Sequence, residues 1–237
     1  MITDASHGNG LEYDVARKTV ELHRSQGAKL IAFADPRAID GNELNFHLIS
    51  FSSNKIKRVC RSTLQAETYA LQTGVEEGDR LRGAVACMRG RWNDRDWEAS
   101  ATATMRQIWF TDCKSVEATL TRETMAKVAD KRLSIEVASL RQSLWRTPGE
   151  SRGSPTFNDE RPSEATDSIR WIDTDCMLAD PLTKVMEPNK LNEALDSNYW
   201  NLTQPIESIL KKRAKQLQRR KTPIEDVNGD DLIEGEP

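Results

Sequence analysis

Apolar residues recur along the chain at two spacings, and each change of spacing marks a new element. From 63 to about 88 the spacing is helical. Leu64, Leu71, Val75, Leu81, Val85 and Met88 form one stripe there, at 3.6 residues per turn. A second helical run, from about 130 to 145, carries Leu133, Val137, Leu140 and Leu144 on one face. Short apolar or β-branched runs predict strands at 30–34, 47–52, 58–61, 106–111 and 169–172, with Asn54-Lys55 as the turn between the second and third. Asp35-Pro36 stops the first of these, because proline has no N–H to give a central strand. Residues 13–25, with Val15, Val20 and Leu22 among charges, read as a short helix ended by Gly27. Residues 91–104 read as a linker, 115–120 as a short helix, and the Gly-, Ser- and Pro-rich 148–167 as a mobile loop.

Glu67 interrupts the first stripe, on its inward face between Leu64 and Leu71. A carboxylate there is costly unless it is paired or coordinates a metal. Pairing with Arg61, Arg80 or Arg82 is the plainer reading. Convergence with other acids is the sharper one. Asp35 and Asp112 stand at the carboxyl ends of predicted strands, and Asp180 opens the helix after the last strand. Central strands run side by side, so acids at their ends can meet. Each also has a local reading: Asp35 as the start of a turn, Asp112 as a cap for the helix at Ser115, and Asp180 as an N-cap before Pro181.

Composition narrows the setting. The 237 residues suit one medium domain with extensions, or two small domains. Acidic and basic residues nearly balance, 37 against 34, so any nucleic-acid surface must be local. Four cysteines without CxxC spacing and only three histidines argue against a zinc site or a disulfide scaffold, and fit a reducing compartment. The N-terminus lacks the apolar run of a secretory signal, and no stretch is long enough to span a bilayer. These features predict an intracellular chain, cytoplasmic or nuclear, with no membrane partner. The expected organisation is an N-terminal helical lead-in (1–28), an α/β domain (29–200), and an extension (201–237) in which a basic helix precedes an acidic, disordered tail. A nucleic-acid-binding or nuclear-import role is the sharper reading of that extension.

The succession strand–Asp, two strands, helix–Glu, strand–Asp, helices, strand, helix–Asp resembles the ribonuclease H fold. Local strings narrow the resemblance to the RNase H domain at the end of Pol in copia-type LTR retrotransposons. Arg61-Ser62-Thr63-Leu64-Gln65-Ala66-Glu67 is similar to that family's helix start, and Phe110-Thr111-Asp112-Cys113-Lys114-Ser115 to its strand-end Asp with the helix that follows. Asp130-Lys131-Arg132-Leu133-Ser134-Ile135-Glu136 occupies the place of its RTKHIDI segment. Leu178-Ala179-Asp180-Pro181-Leu182-Thr183-Lys184 resembles its closing motif, the most specific of the four. The likeness covers about residues 10–190.

The resemblance implies an α/β, ribonuclease H-like fold: a mixed sheet of five strands flanked by helices. It implies hydrolysis of the RNA strand of RNA–DNA hybrids with two Mg²⁺ ions, Mn²⁺ being a substitute. Asp35 would bridge the ions, Glu67 and Asp112 would share one, and Asp180 would hold the other. Four carboxylates make the hard, all-oxygen donor set that such ions prefer. Glu67 would also read the ribose 2′-OH. Arg61, Ser62, Thr63, Lys114 and Ser115 would contact phosphates, and the reverse transcriptase domain of the same polyprotein would be a partner. A catalytically silent nucleic-acid-binding or interaction module on the same fold is the alternative class. It is favoured by Pro36-Arg37 after the first acid and by the lack of histidine in 148–167. A strand-transfer domain is a third and weaker option. Two expectations follow for the fold: 108–111 lies beside 30–34, a neighbourhood the ribonuclease reading requires, and Val75 faces the sheet.

Overall fold

Six strands form one mixed sheet in the computed structural model: β1 (Ile2–Asp14), β2 (Thr19–Ala34), β3 (Glu43–Lys55), β4 (Ile108–Thr111), β5 (Ser168–Trp171) and β6 (Tyr199–Asn201). Their order across the sheet is β5-β4-β1-β2-β3-β6. The β1–β2, β2–β3 and β3–β6 pairs are antiparallel, while β1–β4 and β4–β5 are parallel. The helices are α1 (Thr63–Met88), α2 (Trp97–Thr104), α3 (Lys114–Thr121), α4 (Lys131–Leu144), α5 (Asp180–Thr183) and α6 (Asn189–Ser197). The structure describes residues 1–14, 19–123, 130–149, 164–203 and Leu210. Residues Met1–Thr203 form one unit and Gln204–Pro237 another. Except for Leu210, that second unit lies outside the described residues, and with it the expected basic helix and acidic tail. Most of the expected loop at 148–167 lies outside them too.

Alternation along β4 separates two cores. Ile108 and Phe110 turn to one face, where Ile2, Leu30, Phe46, Leu178 and Trp200 pack. Trp109 turns to the other, against Leu71 and Val75 of α1, Val116 of α3 and Leu140 of α4. A period of two along a strand with apolar residues on both sides is the mark of a sheet covered on both faces. Val75 is 0% exposed, as the helical stripe requires, whereas Met88 at the end of the same stripe is 79% exposed. The α/β class with a mixed sheet flanked by helices is borne out, with six strands in place of five.

Three expectations are corrected. The helical lead-in is replaced by two antiparallel strands: Ile2–Asp14 form β1 and residues 19–28 belong to β2, while 15–18 lie outside the described residues. The strand expected at 58–61 is a loop, since β3 runs unbroken through the proposed turn at Asn54-Lys55. Most of the linker expected at 91–104 is α2, capped by Asp96, whose side chain accepts from Ala99 N. The first correction moves the sheet order. Segments 30–34 and 108–111 are not neighbours, because β1 stands between them and pairs Ile2 with Phe110. The requirement fails as stated: the strand beside β4 is β1, which carries Asp4, and not the strand that ends before Asp35. With β1 in its place, the succession is again acid-bearing strand, two strands, helix with Glu67, strand ending at Asp112, helices, strand, helix with Asp180.

Candidate metal centre

Four segments far apart in sequence bring acids to the end of the β1–β4 pair. Asp4 lies on β1 opposite Ala28 of β2. Glu67 lies in the second turn of α1, whose start is fixed by Ser62 as N-cap, its hydroxyl accepting from Gln65 N at 3.2 Å. Asp112 follows β4 directly, and Asp180 is the first residue of α5. β1 and β4 are parallel and pair at Ile2–Phe110, so Asp4 and Asp112 each stand two residues past that pair.

Helix α1 lies unusually close to β1. A Cβ added at Gly74 would stand 2.7 Å from Thr3 Cγ2 and 2.6 Å from Met1 Sδ, so glycine is needed for this approach. With α1 so placed, one carboxylate oxygen each from Asp4, Glu67 and Asp112 lies within 4.8 Å of the other two. Asp4 and Glu67 are only 1% and 4% exposed. Oε2 of Glu67 has no hydrogen-bond partner. The plainer expectation for Glu67, an ion pair, is not met: Arg82 is engaged by Asp79 and Asp167 instead.

The other contacts orient the acids. The Thr183 hydroxyl donates to Asp4 Oδ2, and Lys184 Nζ donates to Asp180 Oδ1 at 2.6 Å while standing 3.7 Å from Asp4 Oδ1. Trp171 Nε1 donates to the Asp112 carbonyl at 2.9 Å. Burial, followed by the charges of Asp4 and Asp112, pushes the Glu67 carboxyl up to about 9. Burial also raises Asp4, Asp112 and Asp180, and the neighbouring acids add to the rise in each case. Hydrogen bonding to Lys184 holds Asp180 back. A buried, unpartnered carboxylate oxygen facing two more carboxylates fits a hard divalent cation such as Mg²⁺ or Mn²⁺.

Asp35 does not join this group. It follows β2 and caps the 3-10 turn Pro36–Ile39, Oδ1 accepting from Arg37 N at 2.9 Å and Oδ2 from Arg37 Nη2 at 2.8 Å. Bonding to Arg37 holds its carboxyl below the usual range. The contacts of Asp35 are those of the turn-starting reading, and the three-acid group contains Asp4 rather than Asp35. Asp180 stands beside the cluster, bonded to Lys184, and outside the three-acid group.

Among the proposed phosphate contacts, Arg61, Ser62, Thr63, Lys114 and Ser115 are all exposed, at the N-termini of α1 and α3. Lys114 Nζ lies 4.2 Å from the centre of the Trp171 ring, and Ser115 Oγ contacts Cys113 Sγ at 3.2 Å. Asp112 caps no helix; Cys113 holds that position. Sequence reasoning missed Asp4, Thr183, Lys184 and Trp171. Thr183 and Lys184 lay in plain view within the closing motif, four residues or fewer after Asp180.

No protein-family model matches the chain, and no curated protein matches it. Among solved structures, RNase H1 from the halophilic archaeon Halobacterium salinarum NRC-1 is similar at 14% identity and a TM-score of 0.38, over 83% of this chain and 96% of that one. The N-terminal RNase H domain of Rv2228c from Mycobacterium tuberculosis, solved as a fusion with maltose-binding protein, is similar at 11% identity and a TM-score of 0.35, over 83% and 94%. Both are ribonuclease H domains. No helix among the described residues is long and apolar enough to cross a membrane.

Proposed function

We propose that the chain is a divalent-metal-dependent endoribonuclease of the ribonuclease H type, cleaving the RNA strand of RNA–DNA hybrids. The observation that carries this reading is Glu67 Oε2, buried without a partner beside the carboxylates of Asp4 and Asp112. Such a group is destabilising unless a cation completes it. Bound Mg²⁺ or Mn²⁺ supplies an activated water and charge stabilisation for the leaving oxygen.

The protein's own residues do the rest. Asp4, Glu67 and Asp112 would hold one ion, Asp4 standing where Asp35 was expected, and Asp180 would serve a second. Thr183 orients Asp4, and Trp171 fixes the backbone that presents Asp112. Arg61, Lys114 and Ser115, exposed at two helix N-termini, take phosphates of the hybrid. The copia-type origin, and with it a reverse transcriptase partner from the same polyprotein, rests on the closing motif at 178–184 and its neighbours. One argument for a silent module falls away, because Pro36-Arg37 follows an acid that lies outside the cluster.

A labelled RNA–DNA hybrid incubated with and without millimolar Mg²⁺ tests the reading. Cleavage of the RNA strand only with the metal is expected, with 5′-phosphate and 3′-hydroxyl products. An uncut hybrid, together with a thermal melt that Mg²⁺ leaves unmoved, would hand the chain to the silent-module alternative.

A further inference from the structure

Lys184 is not needed to explain a metal centre, yet it sits inside one. Its ammonium bridges the two acids on the α5 side, 2.6 Å from Asp180 Oδ1 and 3.7 Å from Asp4 Oδ1. It is also the cation whose field acts on Asp4, Glu67, Asp112 and Asp180 alike. The geometry divides the acids unequally. Glu67 keeps one oxygen unpartnered beside Asp4 and Asp112, while Asp180 accepts from Lys184 and Asp4 accepts from Thr183.

We propose that Lys184 is a tethered counter-ion that fills the second cation position of this centre until a second divalent ion displaces it. The proposal rests on the metal-centre reading above. Three features carry it. The ammonium is a compact point charge on a flexible four-carbon stem, so it can leave without moving the backbone. Its side chain is 35% exposed, which gives it a path to water. Its backbone N–H is anchored to Asp180 O at 2.9 Å at the end of α5, so the stem always starts beside the acid it serves. The resting protein thus holds a full site for one ion at Asp4, Glu67 and Asp112, and a self-neutralised site at Asp4 and Asp180. The second ion must supply the work of expelling Lys184, and phosphate of a bound substrate, by attracting the released ammonium, would assist it.

The test is Mn²⁺ binding to the full chain without substrate, read by calorimetry and by the electron paramagnetic resonance of free Mn²⁺. Wild type is expected to bind one ion tightly. Lys184→Met, similar in length but uncharged, is expected to bind a second at least about 10-fold more tightly than wild type does, and to melt lower than wild type when metal-free. Lys184→Arg, which keeps the charge, is expected to keep the wild-type pattern. Lys184→Gln serves in place of the Met variant if that one does not fold. Equal second-ion affinity in wild type and the uncharged variants would overturn the counter-ion role while leaving the metal centre intact. A wild-type protein that binds no Mn²⁺ at all would overturn the centre itself, and the proposal with it.

Discussion

Arg82 and Asp167 meet in a two-pronged ion pair, Nη1 to Oδ1 at 2.8 Å and Nη2 to Oδ2 at 3.0 Å, with both side chains almost wholly buried. Asp79 and Arg146 extend it to a four-membered network, and the Gln107 N–H donates to Asp167 Oδ1 at 2.9 Å. The network ties α1 to the segment just after α4 and to the residues that lead into β4 and β5. Removing one member strands its partners away from water, at a cost of about 3–5 kcal/mol. Asp167→Ala is therefore expected to lose stability on that scale in urea unfolding. Replacing both members, Arg82→Met with Asp167→Leu, should recover much of the loss, because Asp79 and Arg146 stay paired. A double variant as unstable as Asp167→Ala would show that the pair itself, rather than the stranded charge, sets the cost.

Asp4 and Asp35 offer a direct contrast between two acids near strands. Asp4→Asn preserves shape but removes a charged donor from the cluster, and is expected to lower hydrolysis at least about 100-fold, the scale of losing one preorganised stabilising group. Asp35→Asn should leave turnover unchanged, since its carboxylate serves the turn with Arg37 and asparagine also caps well. Initial rates on a short hybrid decide between them. The reverse ranking would restore Asp35 to the site.

Stability should depend on pH with two opposing signs. Glu67 is raised from 4.5 to about 9, so the folded protein holds a proton that the unfolded chain has released, and stability falls as pH climbs between those values. The raised Asp4, Asp112 and Asp180 act in the same direction. The Met1 amine is lowered by burial from 8.0 to about 5, so its stabilisation is present above 8 and is lost as pH falls through 5. From about pH 5 to 8 these two slopes oppose each other, and from 8 to 9 Glu67 acts without that offset, so the metal-free protein should weaken there by at most about 1.4 kcal/mol per unit. Glu67→Gln should flatten the decline, and millimolar Mg²⁺ should erase it. Urea midpoints across this range, with and without metal, measure all three. A metal-free wild type that strengthens steadily with pH would contradict the burial of these acids.

Most helices were legible because each buries one stripe. Leu71 and Val75 of α1, and Val137 and Leu140 of α4, carry that stripe in the sequence and fill one core in the structure. Asp112 and Asp180 were legible as acids next to elements whose ends could be read. β1 was not, for a physical reason. Its segment Ile2-Thr3-Asp4-Ala5-Ser6 is buried throughout, yet only Ile2 and Ala5 are apolar, so neither alternation nor an apolar run marks it. Val59 misled in the other direction: it suggested a strand but is 82% exposed. α2 was hidden because its small residues carry little stripe, although Asp96 signalled its start. β6, three residues after a left-handed Asn198, is too short to announce itself.

The join between β1 and β4 has a consequence for synthesis. The Met1 amine meets the Ile108 carbonyl 107 positions away, and the Thr183 hydroxyl meets Asp4 across 179. Contacts that distant close late, because a long loop must be ordered before they form. On the ribosome, β1, β2 and α1 emerge early and Glu67 with them, but α5 is still inside the exit tunnel. A nascent chain would therefore carry Asp4 and Glu67 outside the tunnel before Asp180 can join them. The proposed metal centre would gain Asp180, Thr183 and Lys184 only after the closing motif has emerged.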